Sequence, residues 1–418
     1  MALKPVRTWL IALAAAALVA CGGGGPTDAG TNTNAGPPGT GSDSAASMGT
    51  LRIALTDSPA CGYDNAWVTV EKVRVHRDSS AGDGDGGWID LPLPQPQPLP
   101  TPLPTAQPLR VDLLTLTNGT LVPLGQTQLP AGVYTQIRLV LAENTASNPY
   151  ANAIKPTGGS IVPLTTPSAQ QSGLKINADI TVPAGQEVDF AIDFDACKSF
   201  VKSGNSGKYA IKPVLTVTPI VSSSAQRVVG YVDPVLAAGN TSISLQQGGV
   251  SIKGTVPGAN GSFVLYPVPA GIYDLVVTSA GRATTVMTGV PVTTTAVTTV
   301  NALATVIAPP ALVQGTQGVT GSVSPATATV RSLQTLSGGL SIETHWASVD
   351  ATSGEFTFSL PIDPPVRTVY APNTPTMTLT PDALALGLYT IEARLDGNTE
   401  TQAIDTKAAV PWVTLSFP

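Results

Sequence analysis

The feature that most constrains this chain is a turn that returns. Pro130-Ala131-Gly132-Val133-Tyr134 comes back as Pro269-Ala270-Gly271-Ile272-Tyr273 and, in worn form, as Leu386-Gly387-Leu388-Tyr389. In each copy a glycine able to take positive φ precedes an aromatic residue and then β-prone residues, which is how a tight turn launches a strand. The second and third copies also share an upstream turn, Asn260-Gly261-Ser262-Phe263 and Ser353-Gly354-Glu355-Phe356. Three related β units are therefore expected. Alternation puts Tyr273, Leu275 and Val277 on one face, and likewise Tyr389, Ile391, Ala393 and Leu395. In the first copy it puts Tyr134 opposite Ile137, Leu139 and Leu141, so that copy is not a simple duplicate.

With 418 residues, 42% of them hydrophobic and only 11% charged, the chain can fill several ordered cores. The 41 glycines and 38 prolines fit many short strands joined by tight turns, and no long helical pattern follows the first twenty residues. The expected class is all-β, as tandem β-sandwiches of immunoglobulin-like or transthyretin-like form. The net charge is −6, and loss of residues 1–20 with Lys4 and Arg7 takes it to −8, which argues against nucleic acid as a partner.

Lys4 and Arg7 precede an apolar run from Trp9 to Ala20, too short to cross a membrane as a helix and built as a secretory signal. Its end, Leu18-Val19-Ala20-Cys21, resembles the bacterial lipobox, which implies that Cys21 is lipidated and anchors the chain to a membrane. An ordinary secreted protein with a chance cysteine is the alternative. Gly22 stands where the lipoprotein pattern would place Asp for inner-membrane retention, so the expected location is the outer membrane of a bacterial cell envelope. Residues 21–48 are Gly, Ser, Thr, Asn, Pro and Asp with almost nothing apolar, a tether with a root-mean-square span of about 30 Å.

The first folded domain is expected over 49–222. Leu51, Ile53 and Leu55 alternate as in a half-buried strand. From Ala66 to His76 the alternation slips between Val70 and Val73, and a β-bulge near Glu71-Lys72 would repair it. Asp83-Gly84-Asp85-Gly86-Gly87 has the opening of a calcium loop, but Pro94 stands where the bidentate Glu belongs, so a hairpin turn into Trp88-Ile89-Asp90-Leu91 is the preferred reading. The Pro-rich run from Leu91 to Leu109 reads as an exposed excursion, with a docking peptide as the alternative.

The ordered set Gly49-Thr50-Leu51, Thr56-Asp57-Ser58-Pro59-Ala60-Cys61, Val73-Arg74-Val75-His76, Leu129-Pro130-Ala131-Gly132-Val133-Tyr134, Asp193-Phe194-Asp195-Ala196-Cys197 and Lys212-Pro213-Val214 resembles the domain of unknown function 4382 family of bacterial envelope lipoproteins. The resemblance covers about residues 49–220. It implies an exported β-rich domain and carries no established activity. Residues 226–305 are similar to the carboxypeptidase regulatory-like, transthyretin-like sandwich, and 318–418 reads as a further copy with an insertion between Phe358 and Leu386.

With Cys21 lipidated, the chain's other two cysteines, Cys61 and Cys197, form the expected disulfide, two separate thiols being the alternative. His76 and His345 fall in different domains, so neither a histidine metal cluster nor a Ser-His-Asp arrangement is expected. Asp57, Asp193 and Asp195 lie beside the proposed bridge and could bind calcium. The preferred reading puts Asp193 and Asp195 on a solvated face and assigns no metal, cofactor or catalytic residue. Trp67, Trp88, Trp346 and Trp412 read as packing residues before a sugar-stacking platform. The expected function is a structural, adhesive or ligand-binding envelope protein and not an enzyme. Its partners would be the membrane through the anchor and an envelope protein or polysaccharide. The alternatives are a surface polysaccharide-binding protein, or a hydrolase using Asp193 and Asp195.

Overall fold

The computed structural model describes residues 47–57, 62–94, 107–166, 172–238, 240–372 and 376–418. The signal and tether readings, with Cys21, lie outside the described residues, as do Cys61 and most of the Pro-rich run. Ala46–Pro418 form one compact unit, all-β, built as tandem β-sandwiches. Among the described residues no helix is long and apolar enough to cross a membrane.

In the first sandwich a four-stranded sheet runs in the order Leu215–Ile220, Glu187–Phe194, Met48–Asp57, Val122–Pro130. Its two central strands, Met48–Asp57 and Glu187–Phe194, are parallel, with Thr56 beside Asp193 and Asp57 beside Phe194. The facing sheet is nine-stranded and centred on Tyr63–His76 and Gly132–Leu141. The register of Tyr63–His76 shifts between Val70 and Lys72, where the slipped alternation requires a bulge, and Val68, Val70, Val73 and Val75 all reach the core. A second shift, between Tyr134 and Gln136, corrects the simple alternation of the first turn copy. Tyr134 and Ile137 are both buried in the same core, because the extra residue turns the strand between them.

The second sandwich pairs a three-stranded sheet around Val228–Tyr231 with a six-stranded sheet. The third pairs a three-stranded sheet around Thr316–Ser324 with a four-stranded one. Their upstream turns are the same device. Gly261 at φ +80° and Gly354 at φ +72° each occupy a place where a Cβ would lie 2.1 or 2.2 Å from a carbonyl oxygen, of Val232 and Val323 respectively. The amides of Val232 and Val323 donate to the carbonyls of Gly261 and Gly354 at 2.9 and 3.0 Å. Only glycine fits both the dihedral and the approach.

The organising turn is held by its tyrosine. Tyr134 and Tyr273 donate their hydroxyls to the carbonyls of Pro130 and Pro269, both at 2.8 Å, as in the tyrosine corner of immunoglobulin-type sandwiches. Positive φ is found at Gly132 and Gly387 but not at Gly271, so the common element is the hydroxyl and not the glycine. In the third copy Tyr389 donates to Pro361, 28 residues upstream, at 2.9 Å. The insertion thus starts after Pro361, and the hydrogen bond closes the corner across it. Inserted strands Val366–Val369 and Thr380–Pro381 leave the third sandwich and extend the sheet of the second, Val366–Val369 pairing parallel to Thr285–Val292. A small apolar seam of Val276, Val286, Leu336 and Ile342 lies between the same two sandwiches.

Candidate functional site

The chemistry-bearing side chains gather where the three sandwiches meet. At the end of the first strand Asp57 is buried and accepts the backbone N–H of Ala196 at 2.9 Å. Asp195 caps the short helix Ala196–Ser199 by accepting the N–H of Lys198 at 3.1 Å. From the second sandwich Lys253 reaches Asp193 at 2.7 Å and Thr56 Oγ1 at 3.4 Å, the lysine and aspartate side chains being 4% and 8% exposed. Lys198 pairs with Asp195 at 3.5 Å and with Glu343 of the third sandwich at 3.0 Å. Arg331 then spans Glu343 at 2.9 Å and Glu392 at 2.7 Å, and donates to the carbonyl of Gly249 in the second sandwich at 2.6 Å. The Gln246 side chain clasps the backbone of Glu343 in both directions at 2.7 Å.

This network corrects the expectation of a solvated acidic face. Asp193 is buried against the second sandwich and its charge meets Lys253. The three acids are neighbours, but each has its own protein partner. Among the described residues no group of three His, Cys, Asp or Glu side chains is arranged to hold a metal ion.

Burial sets the electrostatics. It pushes the Asp57 carboxyl well above the usual range; the Ala196 N–H opposes the rise, and Asp193 and Asp195 add to it. Asp57 Oδ2 has no hydrogen-bond partner. Asp195 keeps 19% of its side-chain surface open, yet burial is its dominant influence and lifts its pKa to about 6 against the pull of Lys198. For Lys198 burial opposes the charge, but Asp195 and Glu343 more than offset it and the pKa is raised.

Beside the network lies a cleft of about 830 Å³, whose walls include Lys198, Ser244, Thr278, Arg282, His345 and Trp346. Asp195, Glu343 and Cys197 also border it, whereas Asp193 does not. His345 lies on the wall, but its Nδ1 is shut off from solvent without a partner, and burial lowers its pKa to about 4. Cys197 is the only cysteine among the described residues. His76 ends its strand as expected, with Nδ1 accepting the Asp78 N–H at 2.9 Å and its ring 5.0 Å from Trp88.

The tryptophans are dispersed among cations. Trp67 faces Arg110, Trp88 lies between Arg74 and Arg138, and Trp346 faces Lys198 at 4.8 Å, while Trp412 is 52% exposed. Sequence reasoning missed Lys253, Gln246, Arg331 and Glu343. The available signal was a charged or amide side chain at mid-strand in a chain with few charges.

Residues 48–213 match the model of a family described as domain of unknown function DUF4382. The first sandwich is similar to that domain. Two solved interface mutants of a type II cohesin–X-dockerin complex from Acetivibrio cellulolyticus share 27% and 26% identity with this chain. Each alignment covers 21% of this chain and 58% of the other, with a TM-score of 0.18, too low to bear on fold or partner. No curated protein matches.

Proposed function

We propose that the chain is an exported, lipid-anchored bacterial envelope protein that binds a ligand in the cleft between its three sandwiches and is not an enzyme. The observation that carries the reading is the cleft itself. Its walls come from three sandwiches, and those sandwiches are fixed to one another by two buried ion pairs and by the Arg331 hydrogen bond to the Gly249 carbonyl, so the binding surface is pre-organised. The lining is rich in hydroxyls, with Trp346 and two cationic side chains, which suits a polar envelope ligand such as a polysaccharide or a protein segment. Trp346 favours polysaccharide as the second, narrower reading, because its indole offers a stacking surface among hydroxyl groups.

The same reading includes Cys21 as the lipidated residue, the outer membrane as the location, and a bridge between Cys61 and Cys197. It includes the likeness of the second sandwich to carboxypeptidase regulatory-like domains. Labelled palmitate retained on Cys21→Ser would refute the anchor, and free alkylation of both Cys61 and Cys197 without reduction would refute the bridge.

Ser348 is an exposed residue of the cleft wall, so Ser348→Trp fills the space without touching the buried network. A screen of glycans and envelope proteins against the parent and this variant tests the site. Binders of the parent that the variant loses support it; binders that both retain at equal affinity place the ligand elsewhere.

A further inference from the structure

The geometry points to a covalent link: we propose that Lys253 and Asp193 condense into an intramolecular amide that welds the second sandwich to the first. Nζ of Lys253 lies 2.7 Å from Oδ2 of Asp193, and both side chains are almost wholly shielded from water. The contact joins residues from two sandwiches and is fixed from both sides. Asp193 sits in a central strand between Met48–Asp57 and Leu215–Ile220, and Lys253 in a strand paired to Ser242–Gln247. An amine and a carboxyl carbon held together this way no longer meet by diffusion, and effective molarities for well-oriented intramolecular reactions reach about 10⁵ M or more.

The reaction balances without an outside reagent. Across the hydrogen bond the ammonium passes one proton to the carboxylate, which leaves a free amine beside a carboxylic acid. The free amine attacks Cγ of Asp193, the bond from Cγ to its hydroxyl breaks, and the hydroxyl leaves as water with a second proton from the nitrogen. One amide and one water result, with no change of oxidation state.

The test is peptide mapping of the full chain, expressed, folded, then reduced and denatured before digestion with trypsin. The expected product is a branched peptide containing Lys253 and Asp193, lighter by one water than the sum of its parts, with no cleavage after Lys253. In Lys253→Met the Asp193 peptide should be linear. Linear peptides and ordinary cleavage after Lys253 in the parent overturn the proposal whatever the variant does.

Discussion

Replacing Asp195 by Asn should stabilise the protein, and by an amount that grows with pH. The folded state raises this carboxyl from 3.8 to about 6, with burial the main cause. The gap of roughly two pH units corresponds to about 3 kcal/mol against the ionised form in the folded state. Below about pH 4 the group is protonated whether the chain is folded or not. Between the two values the folded state holds a proton that the unfolded chain has released, so the favourable contribution is lost as pH rises through about 6. Asparagine keeps the oxygen that caps Ala196–Ser199 and never ionises, and Lys198 retains Glu343. The variant should therefore match the parent near pH 4 and exceed it by up to about 3 kcal/mol at pH 8. His345 works in the opposite direction over this range. Its pKa falls to about 4, so the stability it contributes is present above its ordinary value of 6.5 and is lost as pH drops towards 4. The parent profile mixes these two slopes with that of Asp57, whose carboxyl burial also raises, and only variant minus parent isolates Asp195. Urea unfolding at a series of pH values reads that difference from the midpoint at constant m. A variant less stable than the parent at pH 8, or a difference that ignores pH, would refute the reasoning.

Arg331→Met should cost about 2–3 kcal/mol in the same assay. That is less than the usual penalty for breaking a buried pair, because Glu343 keeps Lys198 and Glu392 keeps Arg394; an unchanged midpoint would mean the guanidinium does not hold the junction. Residues 226–305 cut out alone should give a collapsed amide proton spectrum and 226–418 a dispersed one, since the shorter piece loses Val366–Val369 from the edge of Thr285–Val292. Equal dispersion and equal stability of the two pieces would show that the inserted strands are dispensable.

What could be read from the sequence was the part that local alternation dictates. The bulge at Val70 to Lys72 is visible because four valines on a half-buried strand must reach one face, and the break between them has a single repair. The bulge beside Tyr134 has no such mark. Gln136 and Arg138 take the face opposite Ile137 and Leu139 yet are buried there by the 78–81 loop, so burial on this strand carries no phase. The all-β class and the repeated units followed from turn chemistry. The destination of the inserted segment did not, because its parallel pairing with Thr285–Val292 joins residues some eighty positions apart.

The site was half legible for a related reason. Asp57, Asp193 and Asp195 come together as a sequence reading of two adjoining strand ends suggests, and the parallel register of Met48–Asp57 with Glu187–Phe194 is what brings them there. Their charge partners arrive from other sandwiches, Lys253 from the second and Glu343 from the third through Lys198. Alternation within one strand says which face a residue takes. Whether that face meets water or another domain depends on packing between units, which local periodicity does not encode. An aspartate read as solvated for its pattern is thus buried for its neighbours, and desolvation raises the cost of leaving it unpaired. The same desolvation ties the sandwiches into one unit: parting the first from the second strands Lys253 and Asp193, parting the first from the third takes Lys198 from Glu343, and parting the second from the third leaves the Gly249 carbonyl without Arg331 and the Gln246 amide without the Glu343 backbone.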